Sequence, residues 1–375
     1  MMEIVVAPDS LKGSMAASDA AAAIARGWSR VRPADSVRIF SMADGGEGTI
    51  DAIEAASLGR TARMPITVMG PDGRDVDTTW LLLDPKAPRR SVAVVELANT
   101  SGITLLDHPR PLDSHTYGFG QAISAALEYR PCELLLALGG SASTDGGHGA
   151  LSALGASFVD AGGRNVGLGN AALARIAEID VTNLRTIPAG TKVRILSDVM
   201  SPLLGPTGAA AAFGSQKGIE ADGINDADHN LARLAAALQP SLPADPMQSG
   251  AGAAGGTGFA MIAWGASVTS GAAEIAAVTG LDAAIASADL VITGEGSYDP
   301  ESENGKVAGH VRRLASAAQV PCALVAGSIP GAPAPGFFVR AVALSDLAGD
   351  VRSSMNDPER WLHVAGSLLA EEFAA

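Results

Sequence analysis

The amino-acid sequence predicts an α/β protein with mostly parallel sheets, and three observations lead to this class. Short apolar runs alternate with alanine-rich segments of helical period along nearly the whole chain. The apolar runs lack polar alternation, which is typical of strands covered by helices on both faces. Hydrophobic residues make up 47% of the 375 residues and aromatic residues only 4%, so aliphatic side chains must form the cores.

The elements follow from these patterns in order along the chain. The apolar runs predict strands at residues 4–7, 37–40, 92–97, 134–138, 193–196, 290–293, 323–325 and 339–344. The helical patterns predict helices at residues 16–31, 49–56, 117–127, 147–154, 224–238, 272–278, 307–318 and 359–373. The sequence GPDG at residues 70–73 predicts a turn that begins a less regular, β-containing stretch.

The length of the chain predicts two domains, because single cores rarely exceed about 250–300 residues. Clean βα units occur near both chain ends, so we expect the middle of the chain to be inserted between the two halves of one domain. We place the discontinuous α/β domain at residues 1–68 and 285–375, and the inserted α/β domain at residues 69–284.

Charge and composition narrow the classes of molecule that the protein can bind. The net charge of −14 argues against nucleic acid and against anionic membrane surfaces. No apolar stretch approaches the ~20 residues of a membrane span, and the N-terminus has no pattern of a secretion signal. The two cysteines adjoin apolar runs, which indicates buried thiols. We therefore expect a cytoplasmic protein that acts on small molecules, and its oligomeric state stays open.

The lysines give the first indication of chemistry. The chain has five lysines against 21 arginines, and three of them, Lys12, Lys217 and Lys306, lie in glycine-rich loops. A lysine provides a compact charge with flexible reach, as used on phosphates, and neighbouring glycines let backbone N–H groups approach an anion. This distribution predicts phosphoryl chemistry.

The loop after the first predicted strand is a candidate ligand site. It carries Asp9, Ser10 and Lys12 between a buried strand and a helix. Ligands of open α/β sheets bind at the carboxyl ends of the strands, so these polar groups are well placed. The alternative is a helix cap followed by a surface lysine.

The loop after the second predicted strand reads ADGGEGT at residues 43–49. Asp44 and Glu47 are flanked by glycines at the start of a helix, which suits Mg²⁺ or hydroxyl recognition. The alternative is an aspartate N-cap with glycines required for tight packing.

A third loop follows the predicted strand at 134–138 and contains Gly139, Gly140, Ser141 and Asp145. A buried strand that runs directly into glycines, hydroxyls and an acid can form an anion-binding nest of backbone donors. Packing alone does not account for so many short polar side chains at one strand end.

Two further strand ends carry acids. Asp198 follows the predicted strand at 193–196 and could accept a proton from a substrate hydroxyl, although an Asx-turn before Pro202 would use the same residue. Glu295 and Asp299 follow the strand at 290–293. Lys306 then begins a helix, whose N-terminus could act with its ammonium on a phosphate.

Together these loops resemble the bacterial type I glycerate kinase family in order and spacing along essentially the whole chain. The matching segments are APDSLKG (7–13), ADGGEGT (43–49), GGSA (139–142) with DGG (145–147), Asp198 with PLLG (202–205) and Gly208, FG (213–214) with QKG (216–218), and TGEG (293–296).

The resemblance implies ATP-dependent phosphorylation of D-glycerate, usually to 2-phosphoglycerate, with ATP and Mg²⁺ as cofactors. It also implies two α/β domains, one formed by both chain ends and one inserted, with the active site in the cleft between them. Phosphoryl transfer needs anion binding, charge neutralisation and a base for the attacking hydroxyl.

We assign roles to the loop residues on that basis. The catalytic candidates are Asp198, Asp299, Lys12 and Lys306, with Asp198 the first candidate for the base and Asp299 the second. The candidates for substrate or phosphate binding are Asp9, Ser10, Gly139, Gly140, Ser141, Asp145, Lys217 and Glu295. The candidates for metal binding are Asp44 and Glu47, and with Glu295 they could instead contact ribose.

One loop departs from the family pattern. After Gly296 the family commonly has a basic or apolar pair followed by Asp-Ser-Gln-Thr, whereas this chain reads SYDPESE at residues 297–303. Glu301 adds a carboxylate that would repel an anionic substrate, and Pro300 stiffens the turn. Two alternatives therefore stay open: a kinase for another small hydroxy acid, and a non-catalytic sensor that binds a nucleotide or a sugar acid.

Overall fold

A computed structural model describes residues 1–11, 13–57, 59–87, 90–303, 306–331 and 333–373. Lys12 and Gly305 lie outside the described residues, and the side chains of Pro300 and Glu301 are not described either. The roles expected of Lys12 and Glu301 therefore stay predictions. The mixed α/β class and the mostly parallel sheets are confirmed.

Every strand that the apolar runs predict is present, and additional strands lie between them. The strands are β1 (Glu3–Pro8), β2 (Ser36–Ile39), β3 (Thr61–Met69), β4 (Asp75–Leu83), β5 (Val92–Glu96), β6 (Glu133–Ala137), β7 (Ser157–Val159), β8 (Glu178–Asp180), β9 (Lys192–Leu196), β10 (Ser267–Thr269), β11 (Leu290–Ser297), β12 (Cys322–Ser328) and β13 (Arg340–Ala343).

Every predicted helix is also present, and several short helices were not predicted. The helices are α1 (Ala17–Val31), α2 (Thr49–Ala56), α3 (Ala98–Ser101), α4 (Tyr117–Glu128), α5 (His148–Ala153), α6 (Asn170–Leu173), α7 (Ala209–Phe213), α8 (Ile224–Leu238), α9 (Ala253–Trp264), α10 (Gly271–Thr279), α11 (Leu281–Ile285), α12 (Val307–Ala317), α13 (Leu344–Ala348), α14 (Val351–Asn356) and α15 (Pro358–Glu372). Among the described residues, none of these helices has the length and apolar character to cross a bilayer.

Contacts within the chain define two compact units. The first unit contains Met1–Asp44, Asp51–Leu58 and Ala272–Ala375, and the second contains Gly45–Ile50 and Gly59–Gly271. The sequence analysis places its domain boundaries after residues 68 and 284, and those boundaries stay a prediction.

The first unit is built on a five-stranded sheet in the order β13-β12-β11-β1-β2, in which all neighbours are parallel. Helices α1 and α15 pack closely because glycines face the partner backbone. A Cβ on Gly27 would lie 2.1 Å from the His363 carbonyl oxygen, and one on Gly366 would lie 2.2 Å from that of Ile24. The two helices therefore approach each other so closely at these positions that only glycine fits.

The second unit is built on a six-stranded sheet in the order β10-β9-β6-β5-β4-β3. The pairs from β10 to β5 are parallel, and β4 and β3 continue the sheet as an antiparallel hairpin. The predicted turn at residues 70–73 joins the hairpin, with the Gly73 N–H donating to the Gly70 carbonyl at 3.1 Å. A separate two-stranded sheet pairs β7 with β8.

Candidate active site

The predicted site residues of the second unit lie beyond the carboxyl ends of its parallel strands. Glu96 at the end of β5 pairs with Ala137 of β6, which in turn pairs with Leu196 of β9. The three strands therefore end level with one another. The loop at residues 139–141 and the half-buried Asp198 follow directly, at the edge where open α/β sheets bind ligands.

Glycines bring a second loop onto this edge. A Cβ on Gly139 would lie 2.2 Å from the Gly46 Cα, and one on Gly45 would lie 2.3 Å from the Leu196 carbonyl oxygen. Gly45 also has a φ of 91°, which L side chains rarely adopt. Gly45 and Gly139 are thus needed for the close approach of the ADGGEGT loop to the ends of β6 and β9.

Glu96 holds that loop in place, and the sequence analysis did not identify it. Its side chain is buried, and the carboxylate accepts hydrogen bonds from the backbone N–H groups of Gly48 at 3.2 Å and Ile50 at 3.1 Å. Glu47, between the loop glycines, is exposed. The only sequence signal for Glu96 is an acid at the end of an otherwise apolar strand.

Asp145 is the centre of a buried hydrogen-bond network. Its carboxylate accepts from the N–H and the hydroxyl of Thr116 at 2.9 and 2.8 Å, from the Ser143 hydroxyl at 3.2 Å, and from the N–H groups of Gly147 and Gly149 at 3.1 Å. The residue is fully buried. In this arrangement Asp145 orders the loop, and its predicted contact with a ligand stays a prediction.

The glycine–serine segment before Asp145 is also tightly folded. Gly140 has a φ of 67°, and the Ser141 hydroxyl oxygen accepts from the Ser143 N–H at 3.1 Å. Ser141 is buried with about 6% of its surface exposed. The segment is therefore held rigidly, as an anion nest requires.

Lys217 is buried rather than presented to solvent. Its ammonium donates to the Ser143 carbonyl oxygen at 2.5 Å, and only 3% of the residue is exposed. Burial lowers the pKa of Lys217 to about 8, against the opposing influence of the Asp145 charge. A Cβ on Gly255 would lie 2.7 Å from the lysine nitrogen, so the ammonium that bonds to Ser143 also packs closely against the backbone of Gly255.

A left-handed turn interrupts the start of α9 beside Lys217. Ala254, Gly255 and Gly256 have φ values of 52°, 66° and 90°. The Gly146 N–H donates to the Gly255 carbonyl at 3.0 Å, which joins this turn to the Asp145 loop. Strained backbone of this kind persists where the surrounding structure holds it, often next to functional sites.

His148, the first residue of α5, is also buried. Its ring meets the Phe158 ring edge to face, with centroids 4.3 Å apart and an interplanar angle of 84°. Burial lowers the pKa of His148 to about 4. His148 is therefore neutral at pH 7 and belongs to the packing behind the Asp145 loop, as its position at a helix start indicates.

Acid should destabilise the wild-type protein more than a His148→Leu variant. The pKa of His148 is about 4 when folded and ~6.5 when unfolded, so the folded protein binds fewer protons between these values. Its contribution to stability is complete above pH ~6.5 and is lost as the pH falls towards 4. From pH 7 to pH 5, the free energy of unfolding, measured by urea titration, should fall by about 2 kcal/mol more in the wild type than in His148→Leu.

The matched control is His229→Leu, because His229 is exposed on α8. This variant should keep the acid sensitivity of the wild type. An unchanged acid sensitivity in His148→Leu would contradict the burial of a neutral imidazole at this position.

In the first unit, the ends of β1 and β11 bring predicted residues together. Pro8 pairs with Gly294, and the Asp9 N–H donates to the Gly294 carbonyl at 2.8 Å. The Asp9 carboxylate accepts from the Ser10 N–H at 2.7 Å. Glu295 follows Gly294 within β11 and is buried. Asp9, Ser10 and Glu295 thus share one edge of the five-stranded sheet.

Asp299 and Lys306 form an ion pair in the same unit. The lysine nitrogen lies 3.6 Å from a carboxylate oxygen of Asp299, and the two side chains are about one-third exposed. Asp299 also accepts from the Ser302 N–H at 3.1 Å, while its own N–H donates to the Ser302 hydroxyl at 3.0 Å. Lys306 is the N-cap residue of α12, as the sequence predicts for an anion-binding helix start.

The metal candidates Asp44 and Glu47 differ in exposure, since Asp44 is half-buried and Glu47 is exposed. Asp44 ends the first segment of one unit, whereas Glu47 belongs to the other. Within the described ranges, no group of three or more His, Cys, Asp or Glu side chains could hold a metal ion. Mg²⁺ is often bound by one or two carboxylates together with substrate phosphates, so a dedicated cluster is not required.

The fold and these loops define a class of protein: an α/β enzyme of phosphoryl transfer, with glycine-, acid- and lysine-bearing loops at the carboxyl ends of parallel strands. The chain belongs to the glycerate kinase family, whose model matches residues 4–373. This membership confirms the resemblance carried by the loops, and with it the class of phosphotransferase. Membership in a kinase family implies that ATP is used.

Named relatives agree with this assignment. The chain is 37% identical over 332 residues to the glycerate kinase of Bacillus subtilis (strain 168), covering 88% of this chain and 85% of that protein. It is equally similar to the glycerate 2-kinase of Escherichia coli (strain K12), with coverages of 88% and 86%. A crystal structure from Salmonella typhimurium LT2, assigned to glycerate kinase 2, matches with a TM-score of 0.81 and 32% identity over 100% of this chain and 98% of that chain.

Proposed function

We propose that the protein transfers the γ-phosphoryl group of ATP to the 2-hydroxyl of D-glycerate, giving 2-phosphoglycerate. The observation that carries this proposal is the match of residues 4–373 to the glycerate kinase family, together with the acids and glycines in the loops at the strand ends. Fold alone would not support a substrate, whereas a chain-length match that includes the site loops does.

Asp198 is the residue that we propose as the base. It follows β9 at the carboxyl edge of the six-stranded sheet and is half-buried. A carboxylate held at a sheet edge can accept the proton of a hydroxyl that attacks a phosphoryl group. Asp299 is the second candidate, because its carboxylate lies 3.6 Å from the Lys306 ammonium beside the start of α12.

The cations and the glycine loop supply anion binding in this proposal. Lys306 is partly exposed at the start of α12, where its ammonium and the helix N-terminus can both act on a phosphate or a carboxylate. The backbone of residues 139–141 offers donors to a phosphate. Lys217 is buried, so we propose that it acts by holding the Ser143 and Gly255 loops in place.

Mg²⁺ would accompany ATP and neutralise charge on its phosphates when bound. Glu47 fits this ion best, because its carboxylate is exposed in a glycine loop that Glu96 fixes. Asp44 stays a prediction for the same role.

Purified protein with ATP and Mg²⁺ should phosphorylate D-glycerate, and the first product should be 2-phosphoglycerate. ATP consumption should be measured over D-glycerate, L-glycerate and other small hydroxy acids, with phosphorus NMR to identify the product. The panel matters because residues 297–303 depart from the family pattern. If only a different hydroxy acid is turned over, that acid and not D-glycerate is the substrate. If the 3-phosphorylated isomer is the first product, the phosphoryl group is transferred to the 3-hydroxyl and not to the 2-hydroxyl.

A further inference from the structure

Three side chains form a connected group around the segment that carries Asp299. The Tyr298 hydroxyl donates to one carboxylate oxygen of Glu303 at 2.6 Å. The guanidinium of Arg312, on α12, donates to the other oxygen through Nε at 3.0 Å and Nη2 at 2.5 Å. Charge-assisted hydrogen bonds such as those from Arg312 are about twice as strong as neutral ones. We call this group the Tyr298–Glu303–Arg312 clamp.

Neighbouring residues fix each end of the clamp. The Tyr298 ring is 4% exposed and packs edge to face on Phe338, with centroids 5.5 Å apart. The Tyr298 N–H also donates to the Ser328 carbonyl at 3.0 Å, which ties it to β12. The Arg312 guanidinium lies 4.0 Å from the centre of the Phe337 ring. The clamp is therefore anchored to the sheet on one side and to α12 on the other.

The clamp closes the short segment that holds Asp299. Tyr298 immediately precedes Asp299, and Glu303 ends the 3₁₀ helix Pro300–Glu303. A second contact adds to the closure, because Arg313 donates to the Glu303 carbonyl oxygen at 2.7 Å. The hydrogen bond between Tyr298 and Glu303 thus spans the residues from Asp299 to Ser302, which themselves are joined by hydrogen bonds.

We propose that Tyr298, Glu303 and Arg312 are positioning residues that hold the carboxylate of Asp299 at its ion-pair distance from Lys306 during phosphoryl transfer. This inference rests on the proposed function, because it assigns the Asp299–Lys306 pair to the reaction. Burial and the hydrogen bond to Glu303 raise the pKa of the Tyr298 hydroxyl, so it stays a donor at assay pH. Small displacements of catalytic groups carry large rate penalties, which makes such an anchor consequential.

The test is a comparison of Tyr298→Phe in two backgrounds. In the wild-type background, kcat at saturating ATP and D-glycerate should fall about tenfold, because Glu303 loses a hydrogen bond to its charged oxygen. In a Lys306→Met background, where the pair is already lost, the same change should lower kcat by less than about twofold. Glu303→Gln, which keeps the size of the side chain, should reproduce this pattern.

Tyr129→Phe is the matched control, because Tyr129 is 49% exposed and lies in the other unit. It should leave kcat unchanged in both backgrounds. Equal losses from Tyr298→Phe in both backgrounds would mean a general structural role and would overturn the clamp. An unchanged kcat in Tyr298→Phe would also overturn it while leaving the proposed function intact, whereas absence of turnover by wild type would overturn both.

Discussion

Replacing Asp198 by Asn should lower kcat by about 10³-fold while ATP affinity stays near normal, because the change keeps the shape of the side chain and removes the proton acceptor. The expectation rests on the position of Asp198, half-buried and directly beyond β9 at the carboxyl edge of the sheet. Steady-state kinetics with D-glycerate and calorimetric titration with a non-hydrolysable ATP analogue would measure the two quantities separately.

Asp299→Asn is the matched comparison, since Asp299 is the second candidate for the base. Asp299 already has a cationic partner in Lys306, which favours a role in charge organisation over proton removal. If Asp198→Asn leaves kcat intact and Asp299→Asn abolishes it, the two roles are reversed. If both variants mainly weaken the binding of ATP, neither residue is the base, and the proton passes directly to a phosphate oxygen.

Most of the fold could be predicted because its central strands are buried on both faces. Strand β6 is apolar from Leu134 to Ala137 and β11 begins with the apolar run Leu290–Ile292, and the helices between such strands repeat their apolar residues at helical period. The β3–β4 hairpin was not predicted as a pair of strands, because β3 alternates between exposed and partly buried residues and contains Pro65. Its pattern is that of an edge strand, which a search for apolar runs does not detect.

The candidate site could be predicted in part, for a related reason. Loops in which glycines and acids follow a buried strand stand out locally, so Asp9, the 139–141 segment and Asp198 were identified. The role of Glu96 depends on Gly48, which is 48 residues away in the sequence. Arg312 is nine residues from Glu303 but lies in a different element, and no local pattern reports either contact. The burial of Lys217 is equally a tertiary property, so its loop indicated a cation but not its environment.

Replacing Lys306 by Met should lower kcat/KM by at least ~10²-fold with little change in stability, because it removes a preorganised charge that the fold does not need. Its ammonium is partly exposed and pairs with Asp299 at 3.6 Å, a contact whose loss costs the folded state little. Lys12→Met should have a similar kinetic effect. The kinetic constants and the midpoint of urea unfolding should be measured for each variant.

Lys217→Met should differ from Lys306→Met in its effect on stability. The Lys217 ammonium is buried, donates to the Ser143 carbonyl and interacts with the charge of the fully buried Asp145. Its loss removes that hydrogen bond and a positive charge that favours the buried carboxylate. We expect a similar loss of kcat/KM together with a stability loss of about 2 kcal/mol. Lys86→Met and Lys192→Met are the controls, because both lysines are exposed, and neither should change activity or stability. Equal and mild effects at all of these lysines would remove the argument that cations kept in glycine-rich loops serve phosphoryl transfer.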